Sequence, residues 1–276
     1  MQNVLGNLNV VFDKIFGSVE KDVFNTIDEI LVIDKDIFEK EPLEKILNID
    51  GLNYMALIAN ALIIMYAIYY IFLTFISMYN GAKRGNIYKF ILKLIVIAIL
   101  ANSAIFLCQL VVEINYGFTY AVDSIGKKAS GNDLNFASLK EKILSIEDYL
   151  KDDNLSLSGI IKGMISFGSV SILLSFAVRY VIIILLIFIS PIAIICLSSN
   201  LTEGIFYTYI KAFIINLMVQ NVAKIVILIP LTYNDTGSIM YKVVLAGSIY
   251  IIYKLNSYVK QLFSRITSGQ LGKGEN

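Results

Sequence analysis

The chain has 276 residues, 57% hydrophobic and 16% charged, with a formal net charge of +1 and a mean hydropathy of +0.71. Soluble domains average roughly 45–50% apolar and about 25% charged residues, so this composition excludes an ordinary soluble fold and points to an integral membrane protein. There is no histidine, which removes histidine catalysis, imidazole metal sites and histidine pH switches. The two cysteines, Cys108 and Cys196, lie in apolar runs and form neither a CxxC nor a disulfide framework.

The fold class expected is an all-α integral membrane protein with about five transmembrane helices, the third of them long. Residues 1–52 form an acidic helical N-terminal region: the first 50 residues hold 11 acids and 5 lysines, a net of −6. They lack the basic start and continuous apolar core of a cleavable signal peptide. No charge follows Asp50 until Lys83, and the run from Tyr54 to Tyr79 is long enough for one span. A basic loop over 80–93 follows, with Lys83, Arg84, Lys89 and Lys93 and no acid. A second uncharged run, Leu94 to Val112, completes a region of two spans over 53–112.

Residues 113–157 read as an extramembrane loop domain, since 113–162 holds 8 acids and 6 lysines. Within it, LKEKILSIEDYL (139–150) places Leu139, Ile143, Ile146 and Leu150 on one helical face. Asn154 or Ser156 would cap the next helix. Spans three to five occupy 158–253, with a break at 190–205. From Gly163 to Thr202 the only charge is Arg179. Either one long helix from about Ser156 breaks near Ser190-Pro191, or a hairpin turns near Arg179. The first is preferred, because no Gly, Pro or Asn cluster stands at Arg179 to make the turn. The Pro191 segment would then be short, broken or re-entrant. Span four runs from about Phe206 to Ile229, ended by Pro230, and span five from about Ser238 to Tyr253. A basic tail, 254–276, closes the chain. The positive-inside rule puts the loop and tail in the cytoplasm and both the acidic N-terminus and the 113–157 loop outside.

Polar residues inside the spans are the candidate site residues. Asn216, Gln220 and Lys224 recur every fourth residue, with Asn221 beside them; they line a pore or seam, or hydrogen-bond between helices while Lys224 snorkels. Gly168, Ser171, Ser175 and Arg179 form a second stripe, preceded by the GxxxG of Gly159 and Gly163. Small residues there allow close helix packing, whereas Arg179 must face protein, water or headgroups. Tyr66 to Tyr70 read as packing residues. The spans contain no paired carboxylates, GAKRG (81–85) lacks the spacing of a phosphate-binding loop, and no internal repeat marks an inverted-repeat transporter. No enzyme activity and no cofactor are expected.

The stretch SILLSFAVRYVIIILLIFISPIAIICLSSNLTEGIFYTYIKAFIINLMVQNVAKIVILIPL (Ser171–Leu231) resembles the membrane core of the TrbL-type, or VirB-type polytopic, subunit of type IV secretion systems. The matching elements are Arg179-Tyr180, Ser190-Pro191-Ile192-Ala193, the polar Thr202-Glu203-Gly204, Lys211-Ala212-Phe213 and Gln220. The resemblance implies an external N-terminus, about five spans, an external segment between spans two and three, and a cytoplasmic C-terminus. It further implies an inner-membrane translocation subunit working with cytoplasmic ATPases and other secretion subunits on single-stranded DNA or protein. A homo-oligomer in the cytoplasmic membrane is expected. Arg179, Pro191 and Gln220 carry over as a polar anchor, a helix break and a bundle or pore contact. The Ile-, Asn-, Lys- and Tyr-rich composition suggests a low-GC Gram-positive host. The alternative is a small-molecule transporter or permease subunit, which would bind a solute on its own.

Overall fold

A computed structural model describes residues 23–47, 54–80, 87–145, 157–199, 202–233 and 238–267. Among them the secondary structure is entirely helical. The helices are α1 (Val23–Leu31), α2 (Glu41–Leu47), α3 (Tyr54–Tyr79), α4 (Ile87–Asn102), α5 (Ala104–Ser130), α6 (Phe136–Ser145), α7 (Leu157–Ile195), α8 (Glu203–Leu231) and α9 (Ile239–Thr267). Short 3-10 turns occupy Lys35–Phe38 and Cys196–Ser198. Four stretches among the described residues are long and apolar enough to cross a membrane: Tyr54–Tyr79, Ala104–Ser130, Gly168–Ser198 and Glu203–Leu231. By length and composition the chain is a multi-pass membrane protein.

The chain divides into two compact units. One comprises Met1–Ile33, Asn115–Val181 and Ile215–Asn276; the other comprises Asp34–Ile114 and Ile182–Ile214. In the first, the amphipathic α1 buries Phe24, Ile27 and Leu31, spaced three and four residues apart on one face. They join a core with Phe136 and Leu139 of α6, Ile172 and Phe176 of α7, Val219 and Ala223 of α8, and Leu245 and Ile249 of α9. Gly131, at φ +71°, ends α5 in the left-handed conformation, and its N–H donates to the Lys127 carbonyl at 3.0 Å. In the second unit α3 and α4 form an antiparallel hairpin. Asn60 and Asn102 exchange side-chain hydrogen bonds of 3.1 and 2.9 Å, and Tyr70 stacks on Phe90 at 3.5 Å. Ala59, Ala101 and Ala104 let the backbones approach, while most of α3 stays exposed and apolar, as a lipid-facing helix requires.

Several elements depart from the sequence expectation. The expected second span, Leu94 to Val112, straddles the junction of α4 and α5 at Ser103. There the Ser103 hydroxyl donates to the Ile99 carbonyl at 2.8 Å, a back-bond that bends helices without ending them. α5 then continues to Ser130, well into the stretch expected as loop. The expected surface helix is α6, and its Leu139 is a core residue; Ile146, Leu150, Asn154 and Ser156 lie outside the described residues, as do Lys83, Arg84 and 268–276. α7 does not break at Pro191, which lies inside it and is buried. Proline at 191 has no N–H for the Ile187 carbonyl, and the Ser190 hydroxyl supplies the bond instead at 2.7 Å. The helix ends four residues later and α8 opens at Glu203, so the break lies inside the 190–205 stretch but beyond Pro191 rather than at it. Pro230 likewise lies within α8, and α9 runs past Tyr253 to Thr267.

Candidate functional site

Two polar stripes face each other inside the first unit. On α8, Asn216, Gln220, Asn221 and Lys224 are 5%, 0%, 7% and 6% exposed. On α5, Asn115, Thr119 and Asp123 repeat with the same four-residue step. Asn115 donates to the Leu217 carbonyl at 3.2 Å, and Asn221 donates to Asn115 Oδ1 at 2.8 Å. Thr119 donates to Asn221 Oδ1 at 2.6 Å and accepts from Gln220 Nε2 at 2.7 Å. One turn on, Lys224 Nζ lies 3.1 Å from Asp123 Oδ1. Contacts that advance together in number mean that the two helices run parallel. Matching periods then let each rung satisfy the next, as buried polar groups require.

Arg179 of α7, 1% exposed, stands at the end of this ladder. Its Nε donates to the Asn216 carbonyl at 2.6 Å, Nη1 to the Leu31 carbonyl at 2.9 Å and Nη2 to Gln220 Oε1 at 3.1 Å. All three nitrogens thus meet oxygen, and the oxygens are carbonyls and an amide rather than carboxylates. Gln220 also holds both backbone groups of Ile33, accepting from its N–H at 2.9 Å and donating to its carbonyl at 3.4 Å. Residues 32–34 are not helical, so their backbone groups need outside partners. Arg179 and Gln220 provide them. Together these two side chains pin the end of α1 against α7 and α8 by its backbone, whatever its side chains.

Below Lys224 the ladder reaches the α5–α6 turn. Lys224 Nζ donates to the Leu134 carbonyl at 2.6 Å, while its approach to Asp123 is too oblique for a hydrogen bond and leaves buried Oδ1 with the ion pair alone. Asp28 of α1 caps α6 from a distance, accepting from the N–H groups of Phe136 at 2.8 Å and Ala137 at 3.1 Å. Burial raises the Asp28 carboxyl above its ordinary 3.8; those two bonds and the charge of Lys224 pull the other way, and Asp123 adds to the rise.

The remaining candidates lie on other faces. Gly168 and Ser175 face α9. A Cβ at Gly168 would come 3.2 Å from Ile249, and Asn256 donates to the Ser175 hydroxyl at 2.7 Å. Those pairs make α7 and α9 parallel as well. Ser171 is half-buried. Pro191 belongs to the second unit and takes no part in the ladder. Sequence reasoning brought out Arg179, Asn216, Gln220 and Lys224 but missed Asn115, Thr119, Asp123 and Asp28. The four-residue step of 115, 119 and 123 was the available signal, masked by the charges around it. No group of three metal-ligating side chains occurs among the described residues. The arrangement is a gripping and packing device built of donors and acceptors. No protein-family model matches the chain, and no curated protein is significantly similar to it.

Proposed function

We propose that this chain is a TrbL-type polytopic subunit of a type IV secretion or conjugation channel, acting in the cytoplasmic membrane of a low-GC Gram-positive bacterium. In this reading it has five spans (α3, α4–α5, α7, α8 and α9), an external N-terminus and a cytoplasmic C-terminus. It assembles with copies of itself, with other secretion subunits and with cytoplasmic ATPases, and helps move single-stranded DNA or protein. It performs no chemistry of its own.

The observation that carries the reading is the hydrogen bond between Arg179 and Gln220. These are the two polar residues that the resemblance carries over as anchor and bundle contact, 41 residues apart, and they meet directly between α7 and α8. The parallel pairing of α5 with α8 and of α7 with α9 supports alternating spans. The exposed apolar surface of α3 suits lipid or neighbouring subunits. α9 carries Lys242, Lys254, Lys260 and Arg265, and the first of these is buried, consistent with a fifth span whose basic end leaves the membrane.

The test is recovery of the tagged full chain from its native membrane in gentle detergent, with identification of what accompanies it. Co-recovery of a secretion-type ATPase and other envelope subunits is expected. Recovery as a lone monomer or simple dimer would overturn the proposal in favour of a permease.

A further inference from the structure

The second unit carries a cleft of about 420 Å³ between the α3–α4 hairpin and the end of α7, lined by Tyr66, Tyr70, Lys89, Lys93, Ser198 and Ser199. Lys89 and Lys93 are four residues apart on the first two turns of α4, so both ammonium groups reach the same face. Both are exposed, and the exposed residues around them, Ile87, Tyr88, Ile91 and Leu92, are large hydrophobics. Among the described residues Lys93 has no hydrogen-bond or ion-pair partner, and like charges one turn apart repel. An exposed cation on a membrane-spanning hairpin finds its counter-charge in protein, water or lipid headgroups.

The surroundings select the last. The apolar stretch Gly168–Ser198, α7 with the 3-10 turn after it, ends at Ser198 and Glu203 opens α8, so the cleft lies beside the polar connection between them. Tyr66 donates to the Ser198 carbonyl at 3.0 Å, and Tyr70 stacks on Phe90, so two rings with polar tips fix the walls of the cleft. Tyr66, Ser198 and Ser199 also border a second, almost wholly apolar groove of about 490 Å³, walled by Leu62, Met65, Tyr69, Ile192 and Ile195. A free anion would use the lysines and leave this groove empty; a ligand with a charged head and an apolar tail fills both.

We propose that this cleft binds an anionic phospholipid, its phosphate between Lys89 and Lys93 and one acyl chain in the groove beside Leu62 and Met65. Purified full-length protein would be titrated with phosphatidylglycerol and with phosphatidylcholine, and bound lipid counted by native mass spectrometry. Wild type is expected to retain phosphatidylglycerol preferentially. Lys89→Gln with Lys93→Gln should weaken that retention about thirtyfold, from the attraction of two lysines to an anionic lipid, and leave phosphatidylcholine unchanged. The arginine pair at the same positions should keep it. Met65→Trp, which fills the groove with both lysines intact, should lower retention as well and provides the test if the double glutamine variant fails to fold. Glycerol 3-phosphate should not displace the lipid. Equal retention of the two lipids, retention unaltered in both the glutamine pair and Met65→Trp, or displacement by glycerol 3-phosphate would each overturn the proposal.

Discussion

Replacing Gln220 should destabilise the protein more than replacing the buried charge it holds. Gln220→Leu strips partners from the Ile33 N–H, the Ile33 carbonyl and Arg179 Nη2, while Thr119 keeps its bond to Asn221. Three buried groups at about 1–2 kcal/mol each give a loss of about 4 kcal/mol. Arg179→Met keeps side-chain volume and removes the charge together with its desolvation cost. Of the three oxygens it contacts, Gln220 Oε1 still accepts from Ile33, and the Asn216 carbonyl lies within α8, where the helix supplies a donor. Only the Leu31 carbonyl loses the partner described for it, so the loss should be about 1–2 kcal/mol. In the double variant Gln220→Leu no longer strands a guanidinium, and the two losses should fall short of additivity by about 1–2 kcal/mol. The assay is reversible unfolding of the detergent-solubilised protein followed for wild type, both singles and the double. Arg179→Met costing as much as Gln220→Leu, or strict additivity, would refute the description of Gln220 as the hub.

A second cycle concerns α7. Ser190→Ala should cost about 1 kcal/mol in wild type, and nothing in a Pro191→Ala background where residue 191 regains an N–H for Ile187; equal costs in both would show that the Ser190 bond does not replace the missing one. Asp28→Ala should cost about 2 kcal/mol and raise amide hydrogen exchange at Phe136 and Ala137 selectively, since both N–H groups lose their acceptor. Because the Asp28 carboxyl is raised above 3.8, the folded protein binds a proton more tightly than the unfolded chain. Its stabilising contribution is therefore full below 3.8 and lost as pH rises through the raised value, and Asp28→Asn should flatten melting curves across that window. Lys224→Leu should preserve expression but weaken subunit assembly or transfer, as it leaves Asp123 and the Leu134 carbonyl without their partner; unchanged transfer would remove the ladder from the functional account. Cysteines at Asn135 and Gln270, in a background with Cys108 and Cys196 replaced, should label from opposite sides of the membrane, and labelling from one side would overturn the five-span topology.

What the sequence made legible was whatever depends on neighbours in the chain. α3 was read to the residue because 26 positions carry no charge, and a helix that meets hydrocarbon on most sides needs no other information. The polar step of Asn216, Gln220 and Lys224 was equally local. Its partners were not. Gln220 meets Ile33 across 187 positions, and no periodicity near Ile33 announces that a nonhelical turn there will be held by its backbone. Asp123 illustrates the same limit from the opposite side. An acid in a mixed-charge stretch reads as solvent-exposed loop until Lys224 lies beside it, and then the same acid belongs inside a helix. Pro191 is different, because its correction was local and available. Proline deprives the carbonyl four residues back, a hydroxyl at the preceding position can reach that carbonyl, and Ser190 stands there. A Ser-Pro pair within an apolar run therefore argues for a helix that continues, and the sequence of α7 already contained that argument.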